Sequence, residues 1–112
     1  MQPNHRALSL WHKAMLSGVH SSDPDLSMRQ FSILLSVYLT PPPHTVRGLA
    51  AELGVGKPVV TRALDTLGSY GFLKRDPDPN DKRSIIVKRT VKGAVYLNDL
   101  SHRIEQAEAT IE

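Results

Sequence analysis

Residues 45–90 read TVRGLAAELGVGKPVVTRALDTLGSYGFLKRDPDPNDKRSIIVKRT, and their punctuation decides the fold. Thr45 can cap a helix whose inner face, Val46, Leu49, Ala50 and Leu53, follows i, i+3, i+4, i+7 spacing. Gly54 ends it, because glycine takes the left-handed conformation at a helix C-terminus without steric cost. The second helix occupies residues 57–70. Lys57 precedes a proline and is read as a non-helical lead-in, Pro58 takes the first helical position, and Gly71 stops the helix. Phe72–Arg75 and Ser84–Arg89 then alternate apolar and polar residues, as a half-buried hairpin does, around a long polar tip, DPDPNDKR. Helix, tight turn, helix and hairpin in that order make a winged helix-turn-helix over residues 45–89, with the wing at 72–89. The usual work of such a unit is to bind duplex DNA.

The face of the second helix left over after burying Val60, Ala63, Leu64 and Leu67 carries Pro58, Arg62, Asp65 and Ser69, flanked by Val59, Thr61 and Thr66. Such a face can enter a major groove. Arg62 can reach guanine edges or phosphate, Thr61 and Thr66 can bond either, Lys57 and Pro58 stand where free backbone N–H groups favour a phosphate, and Val59 can touch a thymine methyl. The alternative is that Arg62 pairs with Asp65 at i+3 on a solvated surface. At the hairpin tip Lys82 and Arg83 suit a narrow, A·T-rich minor groove, with Asp81 holding the Arg83 side chain or its loop in place. An exposed Asp–Arg pair contributing about 0–1 kcal/mol is the competing reading.

Outside this unit the chain reads as helical. Residues 5–19 bring Leu8, Trp11 and Met15 to one helical face. Residues 27–39 open with a capping box, Ser27 and Gln30, and carry apolar residues around so much of their circumference that they form a core helix touched on two sides. Pro41, Pro42 and Pro43 end it, as a stiff connector rather than a proline-rich ligand. Thr90 caps a last helix over 90–112, in which Leu97, Leu100, Ile104, Ala107 and Ile111 repeat at 3-4-3-4 spacing. Two heptads are too short for a self-sufficient coiled coil, so this seam packs on the first helix, of the same chain or of a partner.

A chain of 112 residues suits a single domain of mainly α structure with a small β-hairpin. No apolar run approaches the ~20 residues that span a bilayer. The N-terminus, interrupted by His5, Arg6, His12 and Lys13, does not read as a signal peptide, and a cytoplasmic location is the default. With no cysteine, disulfides and thiolate metal sites are excluded together. Charge is uneven: residues 57–89 hold eight Lys/Arg against four Asp, while the rest of the chain is slightly acidic. That is the footprint of a phosphate-binding surface, or of a solvated basic one. No nucleophile triad, phosphate-cradling glycine loop or metal spacing stands out. His5 and His12 lack a third ligand, Asp76, Asp78 and Asp81 lie among cations, and neither an enzyme nor a cofactor is indicated.

LSMRQFSILLSVY, LAAELGVGKPVVTRALDTLGSYGFLKR and DPNDKRS, in that order, resemble the MarR (multiple antibiotic resistance regulator) family of winged-helix transcription factors over roughly residues 5–105. The resemblance implies homodimers on pseudo-palindromic operators, mostly repressors, often released by small aromatic ligands. It maps the family's recognition helix onto 57–70 and its wing Asp and Arg onto Asp81 and Arg83. Family members pair through their terminal helices, which here implicates Leu8, Trp11, Leu97, Leu100, Ile104 and Ile111, and the family's ligand pocket would involve Trp11, Met15 and Tyr38. Two departures stand out: Gly56 replaces the usual Ser or Thr ahead of the recognition helix, and Glu112 ends the sequence before a further C-terminal helix, so that the dimer interface is either reduced, built differently, or not stable. A reading from another class is a winged helix that docks a protein partner and has little affinity for DNA.

Overall fold

Two compact units make up the computed structural model, which describes residues 2–112: Leu26–Val95 form one, and residues up to Asp25 together with Tyr96–Glu112 form the other. In chain order the elements are α1 (His5–His20), α2 (Met28–Leu39), β1 (His44–Thr45), α3 (Val46–Leu53), α4 (Lys57–Ser69), β2 (Leu73–Asp78), β3 (Asp81–Arg89) and α5 (Val91–Thr110).

The Leu26–Val95 unit is a winged helix. Its helix starts are chemically specified. Ser27 Oγ accepts the Gln30 amide at 3.1 Å while Gln30 Oε1 accepts the Ser27 amide at 2.9 Å, completing the capping box. Thr45 Oγ1 accepts the Gly48 amide, and Thr90 Oγ1 accepts the Gly93 amide, so both threonines cap as their positions predict. Gly54 adopts φ 68°, the left-handed geometry that stops α3 and turns the chain toward α4. Ile33, Leu34 and Val37 of α2 are buried, together with Leu49 of α3, Val60, Leu64 and Leu67 of α4, and Leu73 and Val87 of the hairpin. The wide apolar circumference of α2 is thus used, with α3, α4 and β3 packed around it.

Three features depart from expectation. First, α4 begins at Lys57, so Pro58 is its second residue; Gly56 takes the cap position, where it supplies no side-chain hydrogen bond. Pro58 is still within the first turn, where its missing N–H deprives no carbonyl of a partner. Second, the hairpin tip is not an eight-residue loop. The ladder continues through polar residues to Asp78 opposite Asp81, leaving Pro79 and Asn80 as the turn, with an irregularity at Pro77/Asp78. Apolar alternation stops where the ribbon leaves the core, whereas backbone pairing does not. Third, His44–Thr45 form a short strand on the other edge of β3, giving an antiparallel sheet of order β1-β3-β2. Two residues after a proline run show no side-chain period.

In the second unit, Asn4 Oδ1 caps α1 through the Ala7 amide. Tyr96 and Ala107 are buried, Arg103 Nη1 pairs with Asp23 Oδ2 at 3.2 Å, and Lys13 Nζ bonds the carbonyl and hydroxyl of Thr110. Burial, with the nearby Asp23 carboxylate second, raises the Tyr96 phenol above its ordinary value. α1 itself buries no residue, and Leu8, Trp11, Met15 and Val19 lie exposed along one face of it.

Candidate nucleic-acid interface

The outward face of α4 is positioned by its inward one. Val60, Ala63, Leu64 and Leu67 are buried, which turns Pro58, Thr61, Arg62, Asp65 and Ser69 to solvent at helical spacing, with Val59 and Thr66 half-buried at the margins. Arg62 does not pair with Asp65. Its Nε donates to the Pro58 carbonyl at 3.4 Å, and the Asp65 carboxylate is taken instead by Arg75 of β2, Nη2 to Oδ1 at 2.7 Å. The Thr66 hydroxyl donates to the Arg62 carbonyl.

At the wing tip, Asp81 Oδ1 accepts the Arg83 backbone amide at 3.0 Å, and Asp78 Oδ1 accepts the Asn80 amide at 2.8 Å. Asp81 therefore orders the backbone of the tip. No ion pair among the described residues joins Asp81 to the Arg83 guanidinium, so the Arg83 and Lys82 side chains are exposed without a carboxylate.

The eight cations of residues 57–89 thus divide by role. Lys74 and Lys88 flank Asp76, Arg75 pairs with Asp65, and Arg89 donates to the Val37 and Thr40 carbonyls at the end of α2 while lying 5.7 Å from the Tyr38 ring centroid. The four that, among the described residues, are held neither by a carboxylate nor by the end of α2 are Lys57, Arg62, Lys82 and Arg83, on the recognition face and the wing tip. The sequence singled out these same four.

The chain is similar to known proteins in sequence and in fold. The profile of the MarR family matches residues 26–85, which is most of the winged-helix unit and more than half the chain. The chain belongs to the MarR family. Among curated relatives, the multiple antibiotic resistance protein MarR of Escherichia coli K12 is 35% identical over 97 residues, covering 84% of this chain and 65% of that protein. The chain therefore spans just under two thirds of that relative's length. A crystal structure of a mutant MarR from E. coli complexed with operator DNA superposes with a TM-score of 0.69 at 29% identity, covering 93% of this chain and 69% of that one. The Thermotoga maritima transcriptional regulator Tm0710 gives 0.68 at 28% identity, covering 90% and 66%.

Not every residue singled out by the MarR resemblance lies in an open position. Trp11 and Met15 are exposed on α1, but Tyr38, in the winged-helix unit, has its hydroxyl engaged by the carbonyls of Phe72 and Thr90 and by the Thr90 amide. Tyr38 thus has a structural role that its helical position did not reveal. Of the residues assigned to pairing, Leu8, Trp11 and Ile104 are exposed, whereas Leu97, Leu100 and Ile111 are half-buried. Arg75 and Asp65 form a contact that sequence reasoning missed; the available signal was that Arg75, two residues after buried Leu73, shares its face of β2. No helix among the described residues is long and apolar enough to cross a membrane, and they contain no cluster of three or more metal-ligating residues.

Proposed function

We propose that this chain is a sequence-specific DNA-binding transcriptional regulator, acting as a homodimeric repressor on a pseudo-palindromic operator in the cytoplasm, associated with the nucleoid. The observation that carries the proposal is the set of four cations that, among the described residues, are held neither by a carboxylate nor by the end of α2: Lys57, Arg62, Lys82 and Arg83, on one face of α4 and the tip of the wing. In each protomer α4 enters a major groove, where Lys57, Pro58, Thr61, Arg62 and Thr66 meet phosphates and base edges. The tip, ordered by Asp81, delivers Lys82 and Arg83 to the adjoining minor groove. Half-sites are then about 10 bp apart. The relative crystallised on operator DNA lends support by family and fold.

Pairing uses the exposed α1 face, Leu8 and Trp11, with Leu97, Leu100, Ile104 and Ile111 of α5. Leu8, Trp11, Met15 and Val19 are 55%, 62%, 53% and 67% exposed, an apolar stripe that a second copy would remove from water. A small aromatic effector seated against Trp11 and Met15 completes the proposal. Trp11 is the single tryptophan of the chain, so its fluorescence reports such binding directly.

The deciding experiment is the salt dependence of duplex binding by the purified chain. A dimer that neutralises six or more phosphates gives log K falling against log[salt] with a slope of about −0.9 per phosphate. Negligible binding at low salt would replace this proposal with the protein-docking winged helix.

A further inference from the structure

We infer that the Asp65–Arg75 ion pair is a brace that sets the angle between α4 and the wing, making these two residues positioning residues for simultaneous contact with both grooves. The inference rests on the DNA-binding reading above.

The corner between α4 and β2 turns at Gly71, which adopts φ 77°, and the Phe72 amide bonds back to the Leu67 carbonyl at 3.0 Å. The base of the hairpin is held by its pairing with β1 and by buried Leu73 and Val87, and the Asp65–Arg75 pair adds a side-chain link from α4 itself to β2. Asp65 lies six residues before Gly71, about 9 Å along a helix. Arg75 lies four residues after it, about 13 Å along a strand. Their contact at 2.7 Å closes a triangle whose third vertex is the corner itself. Arg75 stands opposite Val87 in the ladder, so it shares the face of the hairpin on which Leu73 and Val87 are buried, and only its head reaches Asp65.

Charge points the same way. Asp65 sits on the outward face of α4 between Arg62 and Ser69, its side chain 60% exposed. A bare carboxylate there would repel the phosphates that the face is built to meet, and the Arg75 guanidinium neutralises it. The remaining acids of residues 57–89 are also engaged: Asp76 lies between Lys74 and Lys88, and Asp78 and Asp81 accept amides in the turn. As a stability device an ion pair this exposed contributes little. Its consequence is geometric.

The probe is a duplex selected by the wild-type protein from a randomised library, compared with a scrambled duplex of the same length. Arg75→Met removes a cation and Asp65→Ala removes an anion, so a pure charge effect moves non-specific affinity in opposite directions. The brace instead predicts that both variants lower the ratio of selected to scrambled affinity by about 3- to 5-fold. Both also lose hydroxyl-radical protection where the wing tip meets the minor groove, while Arg75→Lys retains the ratio within about twofold and all three keep their thermal midpoint within a few degrees. An unchanged ratio and footprint in both variants overturns the brace, as do ratios that move in opposite directions. If the wild-type protein selects no duplex at all, the DNA-binding reading itself has failed.

Discussion

The Tyr38 hydroxyl accepts the amide of Thr90 at 3.0 Å, tying the last turn of α2 to the residue that caps α5. The Phe72 and Thr90 carbonyls lie at 3.0 and 2.9 Å from the same oxygen, and Gly93 packs so closely that a β-carbon there would meet both the Tyr38 hydroxyl and the Phe72 carbonyl. Three segments distant in sequence converge on one phenol. Tyr38→Phe removes the acceptor of the Thr90 amide and the hydroxyl that faces the Phe72 and Thr90 carbonyls, and is expected to cost about 1–3 kcal/mol in chemical denaturation. Gly93→Ala forces the hub apart and is expected to cost about as much or more. Because the Phe72 backbone also blocks the site, adding Tyr38→Phe should rescue Gly93→Ala only in part. Full rescue would show that the backbone yields.

Arg83 has an ordered backbone and an unpaired head. Arg83→Ala is therefore expected to weaken duplex binding and flatten any preference for A·T-rich flanks. Asp81→Ala removes the acceptor of the Arg83 amide without removing a cation, so it should reproduce the loss of flank preference with a smaller loss of total affinity. Competition binding against flank-varied duplexes checks both, and a preference unmoved by Arg83→Ala would remove the wing from the minor groove.

Among the described residues Arg62 is held only at the Pro58 carbonyl, which leaves its guanidinium terminus available on the outward face of α4. Arg62→Ala should cost about 1–3 kcal/mol of binding, concentrated at one base position of each half-site, if it reads a base. A loss spread evenly over all sequences, with a salt slope reduced by about one per site, would mark a phosphate contact instead.

Tyr96 supplies a pH dependence. Burial, then the Asp23 carboxylate, raises its folded-state value above the 10.0 of the free phenol. Between those two values the unfolded chain releases the proton and the folded chain keeps it. The contribution of Tyr96 is therefore intact below pH 10 and is lost as pH rises through the folded value. Denaturation followed from pH 9 upward should show a steeper loss for the wild-type protein than for Tyr96→Phe. Parallel curves would mean that the phenol titrates alike in both states.

The helices of residues 27–71, and the cap at Thr90, were legible because each signal there is local. Ser27 with Gln30, Thr45, Gly54 and Thr90 act on amides or turns within a few residues, and the apolar spacing of α2, α3 and α4 names the faces that become buried. The candidate interface followed from the same local rules, since the faces of α4 that do not pack must face out. Legibility ended where a residue's partner lies far along the chain. Arg62 was the nearest candidate for Asp65 by helical spacing, yet Arg75, ten residues on, holds it. Tyr38 was implicated only through the family's ligand pocket, yet its hydroxyl is held by Thr90, 52 residues away. The wing looked shorter in its strands than it is, because side-chain alternation reports burial while the ladder depends on backbone groups alone.

By itself, then, the sequence determined the winged helix-turn-helix, its capping chemistry and the confinement of excess positive charge to residues 57–89. Only the tertiary structure decided which of those cations are engaged by Asp65, Asp76 and the end of α2, and which four are held by none of these among the described residues. The reason is physical. Helix caps and amphipathic faces are set by interactions over three or four residues, but the choice of a charge partner is made by whichever opposite charge the packed core brings within reach.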